Sequence, residues 1–410
     1  MNLHTSHPYW LLKNGLLCEY PALRHPLKVD FLVMGGGITG ALTAWYLAQA
    51  GVSVAVVDRR HIGMGSTCAS TALLQYEIDV PMHQLVKFVG EKNAARSYHL
   101  CIEAIDKLEQ ICENLPFPTG FERKPSVYCA SRKADLEALD LEFAIRQKHG
   151  IRVERWDKAE VTRAFPHFKS PGALYSPHDG AQVDAYSLTH ALLQDAMKHG
   201  AQVFDKTEIV DIQHEKTQVV LNTGHGHLIR AKQLVIASGY ESQDYLEQKV
   251  TRLHSTYVLV SEPFESEIWY RDALIWETAR PYRYLRTTPD RRVLIGGRDE
   301  PFYSPGKRDK LLTKKTRLLA HDFDKMFPTL APILVDFSWA GTFAETFDGL
   351  PFIGTVKERS RTIFALGFGG NGIVFSQIAG EIIRDAALGK KNPDAHIFSF
   401  DRMNNPGKST

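Results

Sequence analysis

The chain has 410 residues, of which 44% are hydrophobic and 23% are charged, and its formal net charge is +2. This balance is typical of a globular protein with two or three domains, and the low net charge argues against a nucleic-acid partner. Five cysteines without a C-x-x-C spacing favour free thiols in a reducing compartment, so we expect a cytoplasmic protein.

The first strongly patterned segment contains 27 consecutive uncharged residues, 31–57. A helix that crosses a bilayer needs about 20 apolar residues, so length alone would suit a membrane anchor. The glycines argue against one helix, because each costs about 1 kcal/mol in a helix interior. The segment divides instead into a buried strand, "FLVMG", a glycine-rich turn, a helix from Ile38 to Ala50 and a second buried strand, "VSVAVVD". We therefore predict a β-α-β unit and no transmembrane segment.

The turn of this unit carries the pattern G-x-G-x-x-G at Gly35, Gly37 and Gly40. The first glycine permits a tight turn, the second lets a pyrophosphate approach the backbone, and the third lets the helix lie close to the strand. Asp58 ends the second strand and is expected to bind the adenosine ribose. The N–H groups that begin the helix, at Ile38 and Thr39, are expected to face the phosphates.

Further elements follow from hydrophobic periodicity. Apolar runs predict strands at "QLVIASG", "STYVLVS", "RVLIGG" and "TIFALGF", and helical spacing predicts helices over 94–114, 134–149, 187–199 and 371–388. The basic run 306–323 has apolar residues at helical spacing, so its lysines are expected on a solvated helix face. Residues 250–336 have more strand and aromatic character, which favours an antiparallel sheet in a second domain.

The loop after Asp58, "RRHIGMGSTCASTALLQYEID", is rich in small residues that can close over a pyrophosphate. With it, the chain resembles the D-amino-acid-oxidase-like superfamily of FAD-dependent oxidoreductases, which includes glycine and sarcosine oxidases, D-amino-acid dehydrogenases and γ-glutamylputrescine oxidase. The resemblance recurs in order at 8–40, 180–212, 229–242 and 339–390. The last of these segments contains "GFGGNGI" at the start of a helix, whose N–H groups would face the flavin O2 and N1 atoms.

The resemblance implies a fold and a set of cofactor contacts. The fold is α/β (α+β), with a Rossmann-like FAD-binding domain in three parts, 1–90, 176–249 and 337–410, and a mixed antiparallel-sheet substrate domain in two parts, 91–175 and 250–336. Besides the residues of the glycine turn and Asp58, the implied FAD contacts are Arg59, Ser66, Thr67, Ser70, Thr71, Ala72, Leu73, Ile209, Ala237, Ser238, Gly239, Gly367, Gly369, Gly370, Asn371, Gly372 and Ile373.

The implied reaction is oxidation of a C–N bond in an amine or amino acid, with hydride transfer to flavin N5 and hydrolysis of the imine. Oxygen or a quinone or other carrier would accept the electrons. No cysteine follows Cys129, so attachment of FAD through a cysteine of the C-terminal third is excluded and non-covalent FAD is expected, while attachment through a histidine stays open. Two alternatives also stay open: an NAD-dependent dehydrogenase, and a flavoprotein with a binding or RNA-modifying role.

The chain departs from the family pattern at two positions. Phe343 and Gly370 stand where amino-acid oxidases of the family keep an arginine that binds the substrate carboxylate. We therefore expect poor activity on glycine and sarcosine. Tyr284 and Arg298, in the hairpin that would cover the flavin, are the candidate substrate contacts, and no catalytic base is assigned.

A metal site is not expected. The sequence "GHGH" at 224–227 lies between two strand-like runs, which favours a hairpin turn over a metal-binding loop.

Overall fold

A computed structural model describes residues 2–5 and 7–404, which form two β-sheets with helices packed against them. In chain order the strands are β1 (Leu27–Met34), β2 (Val54–Val57), β3 (Leu73–Leu74), β4 (Glu122–Cys129), β5 (Glu154–Asp157), β6 (Gly172–Gln182), β7 (Gln202–Phe204), β8 (Ile209–His214), β9 (Val219–Thr223), β10 (Leu228–Ile236), β11 (Arg252–Ser261), β12 (Leu274–Glu277), β13 (Tyr284–Thr287), β14 (Val293–Pro301), β15 (Val335–Glu345), β16 (Phe352–Val356) and β17 (Arg359–Leu366).

The helices include every one that periodicity predicted, each within a few residues of its expected ends. Three others, α1, α3 and α6, were not predicted, and they are short. The helices are α1 (Tyr9–Asn14), α2 (Ile38–Gln49), α3 (Met82–Val89), α4 (Glu91–Glu113), α5 (Leu136–Lys148), α6 (Lys158–Ala164), α7 (Ala185–Lys198), α8 (Pro305–Met326) and α9 (Gly372–Ala387).

The first sheet has the order β16-β17-β10-β1-β2-β7, with β9 paired to β10 and β8 paired to β9. Five of its strands run parallel: β17, β10, β1, β2 and β7. Helices α2, α7 and α9 pack together, and α2 and α9 contact this sheet. The predicted β-α-β unit is thus confirmed, and its charge-free strands are buried because both faces of the sheet are covered. The turns that follow β1, β10 and β17 lie at one edge, since the carboxyl ends of parallel strands coincide.

The second sheet has the order β15-β11-β14-β13-β12-β4-β6-β3, with β5 paired to β6. Most of its pairs are antiparallel, and β12 with β4 is parallel. The expected α/β fold with a mixed second sheet is confirmed. Two of the predicted domain limits, at 175/176 and 336/337, fall inside β6 and β15. A division drawn by sheets places those limits after residues 182 and 345.

Other predictions concern smaller features. The segment 224–227 is the turn of the β9–β10 hairpin, as expected, and the described residues contain no cluster of side chains suited to a metal ion. All five cysteines are free thiols. None of the helices in the described ranges combines the length and the apolar composition that crossing a bilayer requires.

The approach of α2 to β1 gives the first test. A Cβ atom at residue 40 would lie 1.8 Å from the carbonyl oxygen of Gly35. We expect Gly40→Ala to lower the free energy of unfolding by about 3 kcal/mol or more, because backbone must move to admit the methyl group. Gly306→Ala is the control, since a Cβ there meets nothing within 4 Å. Denaturant unfolding of both variants decides, and equal stabilities would contradict the close contact.

Candidate functional site

A large cavity lies where the turns at the edge of the first sheet meet the second sheet. Its unfilled space, counted together with its open mouth, is about 2180 Å³. All the predicted FAD contacts except Gly40 line it, and Tyr284 lines it as well. Gly40 instead lies where α2 contacts the end of β1, which is the role expected for the third glycine of the G-x-G-x-x-G pattern.

The glycine turn is shaped by close backbone contacts. Gly35 has φ 117°, and a Cβ atom there would lie 2.4 Å from the carbonyl oxygen of Ala237. A Cβ at Gly37 would lie 2.9 Å from Thr67 Oγ1, which accepts a hydrogen bond of 3.0 Å from the backbone N–H of Ile38. The turn after β1 is therefore packed against the turn after β10 and against the loop 59–79, and side chains are excluded from it.

Asp58 lies at this end of the cavity and already holds two backbone groups. Its Oδ2 accepts from the N–H of Gly36 at 2.7 Å and its Oδ1 accepts from the N–H of Arg60 at 2.8 Å. Burial raises the pKa of Asp58, although these two hydrogen bonds oppose the shift. Arg59 and Arg60 both pair with Glu241, which also lines the cavity. Asp58 thus fixes the glycine turn in addition to facing the cavity.

The loop 59–79 is held from three sides through its backbone carbonyls. Trp10 Nε1 donates to Ser70 O at 2.7 Å, and Trp339 Nε1 donates to Ala69 O at 2.9 Å. The buried guanidinium of Arg286 donates to the carbonyl oxygens of Thr71 and Ala72, at 3.1 and 3.0 Å. Two alternate residues of β13 therefore have different roles: Tyr284 lines the cavity and Arg286 supports the loop.

The start of α9 forms a further wall of the cavity. Gly367 and Gly369 have φ values of 78° and 56°, so the turn after β17 needs residues without side chains. Asn371 anchors the helix start, because its Nδ2 donates to the carbonyl oxygens of Gln75 and Glu77 at 3.0 and 2.8 Å. The N–H of Gly370 donates to Asp79 Oδ2 at 2.8 Å.

Beyond α9 the cavity ends in rings and carboxylates. The aromatic side chains there are those of Tyr240, Trp276, Tyr282, Tyr284 and Phe343, and the acidic ones are those of Glu77, Asp79 and Asp299. Tyr282 OH donates to Asp79 Oδ1 at 2.9 Å. Within the described part of the chain, the only lysines or arginines that line the cavity are Arg59 and Arg60, at the opposite end.

Arg298, which was predicted as a substrate contact, does not line the cavity. Its guanidinium makes two hydrogen bonds to Asp322 on α8, one of them 2.6 Å long from Nε to Oδ2. The cause is an irregularity in the pairing of β11 with β14 between Ser255 and Tyr257. Arg298 sits in this bulge with φ 58°, which turns its side chain away and leaves the next residue, Asp299, facing the cavity.

Sequence reasoning also missed the carboxylates of this end. Asp299 follows a glycine pair and an arginine, and strict alternation along β14 gives no signal for a bulge. Asp79 ends the small-residue loop, and its position became meaningful only when the fold placed it against Gly370. Burial raises the pKa of Asp299 to about 7, with Glu345 and Asp79 adding to the shift and Thr256 and Lys315 opposing it.

The residues present fit a dinucleotide of the FAD type. The start of α2 and the start of α9 both line the cavity and bring positive dipole ends to it, which suits phosphates and an electron-rich ring edge. Two N–H groups there are already bonded within the protein, that of Ile38 to Thr67 and that of Gly370 to Asp79. Ser66 Oγ is shielded from solvent and has no hydrogen-bond partner among the residues described, so it is available to a phosphate or ring atom of the cofactor. Gly37, Ser66 and Thr67 would surround the pyrophosphate, and Gly369 to Ile373 would lie along the flavin.

The raised pKa of Asp299 predicts how the stability of the folded protein changes with pH. The unfolded chain loses this proton near its ordinary value of 3.8, whereas the folded chain keeps it to about 7, so stability falls between these pH values by up to about 4 kcal/mol. Asp299→Asn removes this loss. The free energy of unfolding of the variant, minus that of the parent, should increase as the pH rises from 4 to 7 and should stay constant above pH 7. Urea unfolding at saturating FAD measures the difference, and parallel pH profiles would contradict the assignment.

Comparison with known proteins agrees with this geometry. Residues 30–386 match the family model of FAD dependent oxidoreductases (DAO). The chain is 23% identical to gamma-glutamylputrescine oxidoreductase of Escherichia coli (strain K12), over 95% of this chain and 90% of that protein. It is 25% identical to a glycine oxidase of Geobacillus kaustophilus (strain HTA426), over 92% and 97%.

The fold is shared as well. The crystal structure of glycine oxidase from Geobacillus kaustophilus superposes with a TM-score of 0.77 at 22% identity, covering 91% of this chain and 98% of that one. The family model covers most of the chain, from the first strand of the β-α-β unit into the last turn of α9. The chain therefore belongs to the FAD dependent oxidoreductases of the DAO family, and the alternative of an NAD-dependent dehydrogenase is set aside.

Proposed function

We propose that the protein binds FAD non-covalently along this cavity and oxidises a C–N bond of a small amine at its aromatic end. The observation that carries the proposal is that one cavity joins the glycine turn, the start of α9 and the chamber of rings and carboxylates. The family's FAD-dependent chemistry and its amine- and amino-acid-oxidising relatives support it. The five free thiols are consistent with the proposed cytoplasmic location.

In this proposal the protein's residues bind and orient the cofactor and the substrate, and they exclude water. FAD supplies the two-electron acceptor for the hydride that leaves the carbon next to nitrogen. The start of α9, anchored by Asn371, offers N–H groups to the ring edge where negative charge collects. Tyr284 and Trp276 would hold the amine and shield the reacting carbon from water. A substrate that binds as the free amine needs no catalytic base, and the imine product hydrolyses in water.

The chamber suits a glycine-like substrate poorly. An α-carboxylate needs a cation, and the described residues at this end offer carboxylates and phenols instead. Phe343 and Gly370 occupy the two positions where an arginine was expected in amino-acid oxidases. We therefore propose an amine without an α-carboxylate as the substrate, and either oxygen or a quinone-type carrier as the electron acceptor.

An anaerobic screen tests the proposal. Amines, glycine and sarcosine are mixed with the purified protein, and the visible absorbance of the flavin is followed, since its loss reports oxidation whatever the natural acceptor. We expect bleaching by amines and little by glycine or sarcosine. Acid precipitation should leave the flavin in the supernatant. Bleaching by glycine alone, or flavin retained in the pellet, would refute the substrate or the non-covalent part respectively.

A substitution tests the cofactor end. Asp58→Ala removes the acceptor for two backbone N–H groups and the proposed ribose partner. The loss of charge-assisted hydrogen bonds, about 1.5–3 kcal/mol, should raise the Kd for FAD about tenfold to a hundredfold. The control is Asp30→Ala, because Asp30 lies on β1 outside the cavity and pairs with Lys232. Fluorescence titration of the flavin-free variants measures both, and equal Kd values would place the ribose elsewhere.

A further inference from the structure

We propose that the aromatic end of the cavity is a cation subsite, formed by Asp79 and Asp299 with the rings of Tyr282, Tyr284 and Trp276. The substrate would then be an amine that carries a second positive charge, a diamine or polyamine, with one ammonium group bound here while the other nitrogen is oxidised. This inference rests on the proposed function for the oxidation itself, and the binding of the cation stands separately.

The carboxylates of this end differ in how far their charges are compensated. Glu77 is almost fully buried, and its Oε1 lies 3.4 Å from the guanidinium of Arg146. Asp79 accepts two hydrogen bonds, from a backbone N–H and from a tyrosine hydroxyl, and neither donor carries a charge. Asp299 Oδ1 is shielded from solvent without a partner in the described part of the chain. Asp79 therefore leaves negative charge facing the cavity, and Asp299 adds to this charge when it is ionised.

The cations nearest to these carboxylates are engaged outside the cavity. Arg280 donates to the backbone carbonyl of Asp79, and its guanidinium lies over the Tyr282 ring at 4.9 Å from the centroid. Lys315 bonds to Glu300 and to the carbonyl oxygen of Arg298. His254 lies 3.3 Å from Glu345. None of these cations lines the cavity, so a ligand is needed to supply the positive charge.

The rings complete the subsite. Tyr282 and Tyr284 have centroids 5.8 Å apart at an interplanar angle of 58°, and Trp276 meets Tyr282 edge to face at 6.1 Å. Inclined rings of this kind present π-faces and phenol oxygens to one small volume. An ammonium group within about 6 Å of such faces gains about 0.5–2 kcal/mol per contact, more when water is excluded. Rings and carboxylates together select a cation over a neutral alkyl group.

The backbone at Gly370 lies close to the carboxylate of Asp79. A Cβ atom at residue 370 would lie 3.0 Å from both Asp79 Oδ1 and the hydroxyl oxygen of Tyr282. The absence of a side chain at residue 370 therefore lets this carboxylate approach the turn before α9. The contact between the loop 59–79 and the turn before α9 therefore contributes to the negative charge of the subsite.

Electrostatic strain at Asp299 supports a cationic occupant. Its pKa is raised by burial and further by Glu345 and Asp79, and the hydrogen bond from Thr256 and the charge of Lys315 offset only part of this. An ammonium group of the substrate in this part of the cavity would relieve the repulsion between these carboxylates and would favour the ionised form of Asp299.

Three ligands of equal chain length test the subsite on the FAD-loaded protein: 1,4-diaminobutane, 1-aminobutane and 4-aminobutanoate. They share one primary amine and differ in a terminal ammonium, methyl or carboxylate group. Calorimetric titration without oxygen gives the Kd, and anaerobic flavin bleaching gives the rate. We expect the diamine to bind at least tenfold tighter than the monoamine and a hundredfold tighter than the amino acid, and to bleach the flavin at the lowest concentration.

A matched pair of variants locates the effect. Asp299→Asn should reduce the ratio of diamine to monoamine affinity about tenfold or more, with the FAD content unchanged. Glu300→Gln, one residue along β14 and paired with Lys315, should keep the ratio of the parent. If Asp299→Asn proves unstable, Tyr284→Leu provides the second test, because it removes a ring and keeps the carboxylates.

The outcomes separate the two proposals. Monoamine bleaching without a preference for the diamine overturns the cation subsite and leaves the proposed oxidation in place. Tight diamine binding that Asp299→Asn abolishes, without bleaching by any amine, supports the subsite and overturns the oxidation. Equal Kd values for the three ligands overturn the subsite whatever the rates are.

Discussion

The site depends on the parallel register of β1, β10 and β17. Because these strands run in the same direction, the turns that follow them meet at one edge, and each of those turns carries glycine. Their backbones approach so closely that a single Cβ atom at Gly35 would strike the carbonyl of Ala237. The same lack of side chains leaves N–H groups at two helix starts open to the cavity. One constraint, close packing of bare backbone, thus produces both the junction of the sheet with its helices and a surface suited to phosphates.

One of the ties between the second sheet and this edge is a buried cation that has no direct ion pair among the described residues. Arg286 on β13 donates to the carbonyl oxygens of Thr71, Ala72 and Val183 and lies over the ring of Trp10 at 5.4 Å. Burial lowers the pKa of this guanidinium to about 10, and Asp184 and Glu122 partly offset the shift. Carbonyl dipoles and an aromatic face replace the lost water. The arginine therefore fixes the loop over the cavity without placing a charge inside it.

Local signals in the sequence were enough for the β-α-β unit and for strands β11 and β14 of the second sheet, but not for which side chains of the second sheet face the cavity. The glycine spacing, the charge-free strands and the acid at the end of β2 all lie within 30 residues, so periodicity and turn chemistry predict them together. The position of Asp79 depends on a contact with a residue 291 positions later in the chain, which no local pattern encodes. The fact that Asp299 faces the cavity in place of the expected Arg298 has a different cause. A one-residue bulge reverses which side chains face the cavity, and alternation along β14 carries no sign of it.

The contact between Asp79 and Gly370 couples the cofactor end of the site to its substrate end. The N–H that binds this carboxylate belongs to the turn that begins α9, and the helix start is also held by Asn371 through carbonyls two and four residues before Asp79. The same loop segment therefore positions the donors proposed for the flavin and the negative charge proposed for the substrate. Gly370, one of the two positions without the expected arginine, is thus bonded directly to a carboxylate proposed to bind the substrate.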